Sequence, residues 1–94
     1  MKEIKLFPKV DSFAENKDLA REIRIKEVIP LLDKNEEVIL NFEGVDSTTQ
    51  SFIHALISDL MRKYGSEVLD KVMFKKCNET VQNIINIVVD YMQG

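Results

Sequence analysis

Few side chains in this sequence are equipped for chemistry. His54 is the only histidine and Cys77 the only cysteine in 94 residues. An imidazole works as a general base only beside a positioned proton donor or acceptor, and the sequence sets none next to His54. Cys77 falls between a predicted strand and a predicted helix start, where a thiol pKa can be lowered; an unreactive, partly buried thiol is the competing reading. A single cysteine allows neither an intramolecular disulfide nor a cysteine metal cluster within one chain. The carboxylates of Asp11, Glu15, Asp18, Glu43 and Asp46 match no cation-loop spacing, and Gly44 lacks the further glycines of a phosphate cradle. No catalytic residue, metal or cofactor is predicted, and the chain reads as non-enzymatic.

One polar cluster stands out, the stretch NFEGVDSTTQSF at residues 41 to 52. Ser47 and Gln50 have the spacing of a capping box, in which the hydroxyl accepts from the Gln50 amide and the Gln50 side chain reaches back to the amide of Ser47. One cap would suffice, yet hydroxyls continue through Ser47, Thr48, Thr49 and Ser51. A phosphoryl group on one of them would lie at the positive end of a helix dipole but close to Asp46 and Glu43, adding a charge of about -1.5 to -2. A structural cap and a charge switch are both open readings of these residues.

The elements that must position this cluster follow from hydrophobic period. Ile4, Leu6 and Val10 at even spacing suggest a short edge strand within residues 1–10, interrupted by Phe7 and Pro8. Residues 11–17 read as a loop or second short strand, anchored in the core by Phe13. From Asp18 a helix presents Leu19, Ala20 and Ile23, then a second stripe of Ile25, Val28, Ile29 and Leu32 about half a turn out of phase, which a kink or re-start at Pro30 would reconcile.

The run at 38–42, VILNF, suits a central strand buried on both faces. Phe52, Ile53, Leu56, Ile57, Leu60, Met61 and Tyr64 mark the clearest amphipathic helix, stopped by Gly65. A strand around Val72–Phe74 follows, then an Asn78 cap and a helix carrying Val81, Ile84, Ile85, Val88, Val89 and Met92. Strands alternating with helices define an α/β layer structure.

The chain as a whole has room for one domain, residues 1–94, around one core. Its 45% hydrophobic and 31% charged residues are those of an ordinary globule. Thirteen basic residues are interspersed with sixteen acids for a net charge of -3, which disfavours nucleic acid as a partner. No apolar run is long enough to span a bilayer and no leader is evident, so a cytoplasmic location without membrane attachment is expected.

The segments EEVILNFEGVDSTTQSFIHALISDLMRKYG and VMFKKCNETVQNIINIVV, with FAENKDLAREIR upstream, resemble the bacterial STAS-like domain family of unknown function, relatives of the anti-sigma-factor antagonists. The likeness rests on a buried strand ending in Phe42, the turn Glu43-Gly44-Val45, and the Ser51-Phe52 pair that opens the main helix. It implies an α/β sandwich with a small mixed sheet of three to five strands, three or so helices packed over it, and a regulatory role exercised by binding another protein.

True antagonists carry Asp-Ser-Ser-Gly at this junction, with the second hydroxyl phosphorylated by a GHKL-type ATPase. Asp46, Ser47 and Thr48 match the first three positions, and Thr49 stands in place of the glycine. The resemblance thus marks Thr48, and next to it Ser47, as candidate phosphoacceptors. Glu43, Gly44, Asp46, Thr49, Gln50 and Ser51 form the expected partner loop. The rival expectation is a module that binds a nucleotide or another small molecule at the helix N-terminus, residues 48–51.

Overall fold

The computed structural model describes residues 2–93. Strands β1 (Lys2–Lys5), β3 (Val38–Asn41) and β5 (Val72–Lys75) form one sheet with β3 in the centre. Both pairings are parallel, and Ile4, Leu40 and Phe74 lie in register. A second, two-stranded parallel sheet joins β2 (Phe13–Ala14) to β4 (Ser47–Thr48), pairing Phe13 with Ser47 and Ala14 with Thr48. The small strand layer with helices on it is therefore present, but as two parallel sheets where the resemblance implies one mixed sheet.

The first ten residues do not remain extended. After β1 the chain turns at Leu6 into a single helical turn, α1 (Phe7–Val10), with Pro8 in its first turn, where a missing amide hydrogen costs nothing. Val10 thus reaches the core from a helix.

Residues 17–33 form one continuous helical run: α2 (Lys17–Ile23), a π-helical turn (Arg24–Val28) and α3 (Ile29–Asp33). Asn16 caps it, its Oδ1 accepting from the amides of Asp18 and Leu19. The two apolar stripes are reconciled by this π turn, upstream of Pro30. The Ile29 amide donates to Arg24 O, five residues back, and the extra residue in the turn resets the phase so that Ala20, Ile23, Val28 and Leu32 all reach the core. Ile25 falls outside the buried stripe and is exposed, contrary to the expectation from spacing.

Helix α4 (Gln50–Tyr64) buries Phe52, Ile53, Leu56, Ile57 and Leu60. A 3-10 turn (Ser66–Asp70) follows Gly65, and α5 (Glu79–Gln93) closes the chain with Val81, Ile85 and Val88 inward. These apolar side chains meet those of the sheet in one core cluster. The expectation that β3 is buried on both faces holds in part: Val38 and Leu40 are covered by the core, whereas Ile39 on the opposite face is half-buried.

The ends of α3 and α4 are joined by Tyr64, whose hydroxyl donates to Asp33 Oδ1 at 2.5 Å. Burial, and then the bond to the Asp33 carboxylate, push the Tyr64 phenol up to about 12. A tyrosine in an unfolded chain ionises near pH 10, so above that pH the unfolded state loses its proton first. Native stability is therefore expected to fall as pH rises from about 10 to 12, and Tyr64→Phe to flatten that decline in denaturant titrations across the range.

Candidate functional site

The loop between β3 and α4 is held at nearly every step. Asn41 Oδ1 accepts from the Glu43 amide at 2.8 Å, and the Val45 amide donates to Phe42 O at 2.9 Å, closing a turn around Gly44. Gly44 sits at φ +90, and a Cβ there would lie 2.8 Å from Cδ1 of Phe7, so both backbone conformation and the packed ring require glycine. Beyond the turn, the amides of Asp46 and Ser47 donate to Ser12 O, and Asn78 Nδ2 donates to Asp46 O at 2.8 Å. Asn78 Oδ1 also accepts from the Val81 amide, so the expected α5 cap is present and the same side chain ties that helix to the loop.

The hydroxyls divide by role. Ser47 and Thr48 belong to β4, and the helix begins at Gln50. The cap is Thr49, whose Oγ1 accepts from the Phe52 amide at 3.1 Å. The capping box expected from Ser47 and Gln50 is therefore absent: pairing of Ser47 with Phe13 holds it in a strand, two residues before the cap. A cap of this kind contributes on the order of 1 kcal/mol. Thr48 is only 6% exposed, and its Oγ1 donates to Ala14 O at 2.7 Å. Ser47 is half-buried, while Glu43, Gly44, Asp46, Gln50 and Ser51 are exposed. Of the two candidate phosphoacceptors, Thr48 is thus committed to the interior and Ser47 lies nearer solvent.

The donors open to a ligand also differ from the expected 48–51 set. The Thr49 amide donates to Ala14 O, which leaves the amides of Gln50 and Ser51 without an acceptor among the described residues.

Two aromatic side chains frame this loop. Phe7, stacked on Gly44, is 41% exposed, and Phe13, beside Ser47 in the sheet register, is 47% exposed. The expectation that Phe13 anchors the core is overturned: in the short β2 strand its neighbour Ala14 points inward, and alternation turns Phe13 out. Asp11, Glu43 and Asp46 supply carboxylates around the same surface. The sequence offered one sign of this, an aromatic amid polar residues at 11–17, but nothing local distinguished an anchor from an exposed ring.

His54 and Cys77 are not brought together. His54 lines an open groove of about 460 Å³ between α2, α4 and α5, and Cys77 is not among the groove's residues. Burial pushes the Cys77 thiol up, and its Sγ contacts Lys75 O at 3.8 Å, so the lowered thiol pKa considered from its place before a helix is not found. No cluster of three His, Cys, Asp or Glu residues able to hold a metal occurs among the described residues. Likewise, no helix among them is long and apolar enough to cross a membrane.

A parallel central strand, a fixed acid-Gly-Val turn and a threonine-capped main helix define a protein of the STAS-like α/β class. The chain belongs to the family described as the STAS-like domain of unknown function (DUF4325), whose model matches residues 20–82. That span contains β3, the whole loop, α4 and β5, and leaves Phe7 and Phe13 outside it. No curated protein and no solved structure matches the chain.

Proposed function

We propose that this chain is a non-enzymatic regulatory module that docks another protein through the 43–51 loop, the exposed face at the start of α4, and the aromatic rim of Phe7 and Phe13. The observation that carries this reading is the pair of exposed phenylalanines on either side of a loop already fixed by hydrogen bonds. Aromatic anchors on a rigid frame lose little conformational entropy on binding and supply much of the energy of typical interfaces. Asp11, Glu43 and Asp46 select a partner surface with basic residues around an apolar pocket. The family resemblance favours a histidine-kinase-like ATPase of the GHKL type as that partner.

In the switching form of this proposal, Ser47 is the phosphoacceptor and Thr48 is not, because the Thr48 hydroxyl is buried and already donating. A phosphoryl group on Ser47 adds a charge of about -1.5 to -2 beside Asp46, which must be desolvated on docking, and so weakens the contact.

The test mixes the purified protein with a GHKL-type ATPase from the same genome, with and without ATP. A complex is expected, and the Phe7→Ala/Phe13→Ala double variant should weaken it by roughly 30-fold or more, with circular dichroism showing that it stays folded although loss of the Phe7 ring from Gly44 lowers its unfolding temperature. Intact mass should rise by one phosphate with ATP, and Ser47→Ala should prevent it. Absence of both complex and phosphate would reject the proposal.

A further inference from the structure

The three-stranded sheet has two edge strands, β1 and β5, on either side of β3. The amide of Lys2 donates to Glu37 O at 2.9 Å, and that of Leu6, just past β1, donates to Asn41 O at 3.0 Å. The even-numbered residues thus commit their peptide groups to β3, and alternation in a parallel ladder turns the amides and carbonyls of Glu3 and Lys5 the other way. Both residues are exposed, and outside the ladder neither has a backbone partner among the described residues. A row of open donors and acceptors of this kind is a template for another strand.

The side chains decide which strand fits. Glu3 and Lys5 lie on one face of β1, opposite the buried Ile4. Asn41 Nδ2 donates to Glu3 Oε2 at 3.0 Å, and neither Glu3 nor Lys5 has an ion-pair partner among the described residues. A two-fold, antiparallel copy of β1 centred on Ile4 sets Glu3 opposite Lys5 of the second copy, and Lys5 opposite its Glu3. The outward peptide groups belong to the same two residues, so each pair exchanges both backbone hydrogen bonds while its side chains meet as opposite charges. Backbone and charge therefore select the same register, and the symmetry closes, so pairing stops at two copies.

The other edge lacks this match. The amides of Val38 and Phe42 donate to Lys71 O and Lys75 O, so the odd-numbered residues of β5 face β3, and Val72 and Phe74 turn outward. A two-fold pairing there, centred on Met73, sets Lys71 opposite Lys75 of the second copy, and like charges directly opposite oppose pairing. We infer that this chain forms a homodimer by antiparallel pairing of β1 with β1 of a second copy, held in register by reciprocal Glu3–Lys5 pairs. The contact is short and belongs at the weak end of protein interfaces, with a Kd of roughly 10⁻⁴ M. It uses no residue of the 43–51 loop and neither Phe7 nor Phe13, so it is independent of the docking surface proposed above.

Sedimentation equilibrium of the full chain, from micromolar to millimolar protein, tests the assignment and should show a monomer–dimer equilibrium. Lys5→Glu and Glu3→Lys each set like charges opposite one another, so each variant alone should dimerise about tenfold more weakly or worse. Mixing the two variants in equal amounts should restore the dimer, because an all-acidic edge then meets an all-basic one. Heteronuclear NMR of the parent over the same dilution range needs no variant, and the Glu3 and Lys5 amide resonances should shift saturably with protein concentration. The inference is overturned if the parent stays monomeric at millimolar concentration, if either variant dimerises as tightly as the parent, if folded variants fail to pair on mixing, or if the two amides do not shift. None of these results bears on docking through Phe7 and Phe13, which the complex assay reads separately.

Discussion

Thr48→Glu is expected to destabilise the protein by about 3 kcal/mol or more, the cost of forcing a carboxylate into a site that cannot pair it. Thr48 is 6% exposed within β4, and its hydroxyl satisfies the carbonyl of Ala14 across the two-stranded sheet. Two companion variants resolve the cause. Thr48→Val keeps the shape but removes the donor, and should cost about 1–2 kcal/mol. Ser47→Glu, one residue earlier and nearer solvent, should change stability by about 0.5 kcal/mol or less. Urea unfolding of the three variants reads the series directly, and a Thr48→Glu protein as stable as the parent would contradict the β2–β4 pairing. The result also bears on the proposed switch, because the Thr48 hydroxyl becomes accessible only if β4 first separates from β2.

Arg24→Ala should cost about 3 kcal/mol. The loss combines a cavity between α2 and α4 with the removal of two charge-assisted bonds, to Ala55 O and Asp59. Asp59 remains partly exposed and keeps Arg62, so its charge is not stranded. Arg24→Met preserves most of the volume and should lie within about 1 kcal/mol of the parent, since a buried ion pair is often no better than well-packed apolar atoms. Calorimetric unfolding of both variants separates the terms. A large loss in Arg24→Met would show that the guanidinium's bonds, rather than its bulk, hold α2 to α4.

The two results depend on residues that sequence reading treats very differently. Thr48 stood out because hydroxyls clustered at a strand-to-helix junction, and the family resemblance gave it a role. Arg24 has no such marker. Its one sequence signal is position: it lies four residues after Ala20 and four before Val28, both core residues, yet a charged side chain at a helical stripe ordinarily reads as an edge. Ordinary α-helical spacing from Ala20, to whose carbonyl the Arg24 amide donates, carries it inward; the π turn that begins there resets the phase for Val28 and Leu32 and leaves no local mark beyond the slip between two apolar stripes.

Hydrophobic period alone marks the central strand within residues 38–42, the body of the main helix from Phe52 to Tyr64 and the closing helix, because each is an amphipathic or fully apolar pattern written over consecutive residues, and residue type marks Asn78 as a cap. Motif order pointed to the STAS-like family, which the match over residues 20–82 bears out. The division of labour among Ser47, Thr48 and Thr49 was decided only in three dimensions. The carbonyl of Ala14, 34 residues before Thr48, accepts both the Thr48 hydroxyl and the Thr49 amide, and pairing with β2 holds two of the three hydroxyl residues in a strand, moving the cap to Thr49. The same pairing turns Phe13 outward and brings it to the loop. Contacts between segments so distant in sequence carry no local period, so the exposed rim of Phe7 and Phe13 around the loop emerges only when the chain is folded.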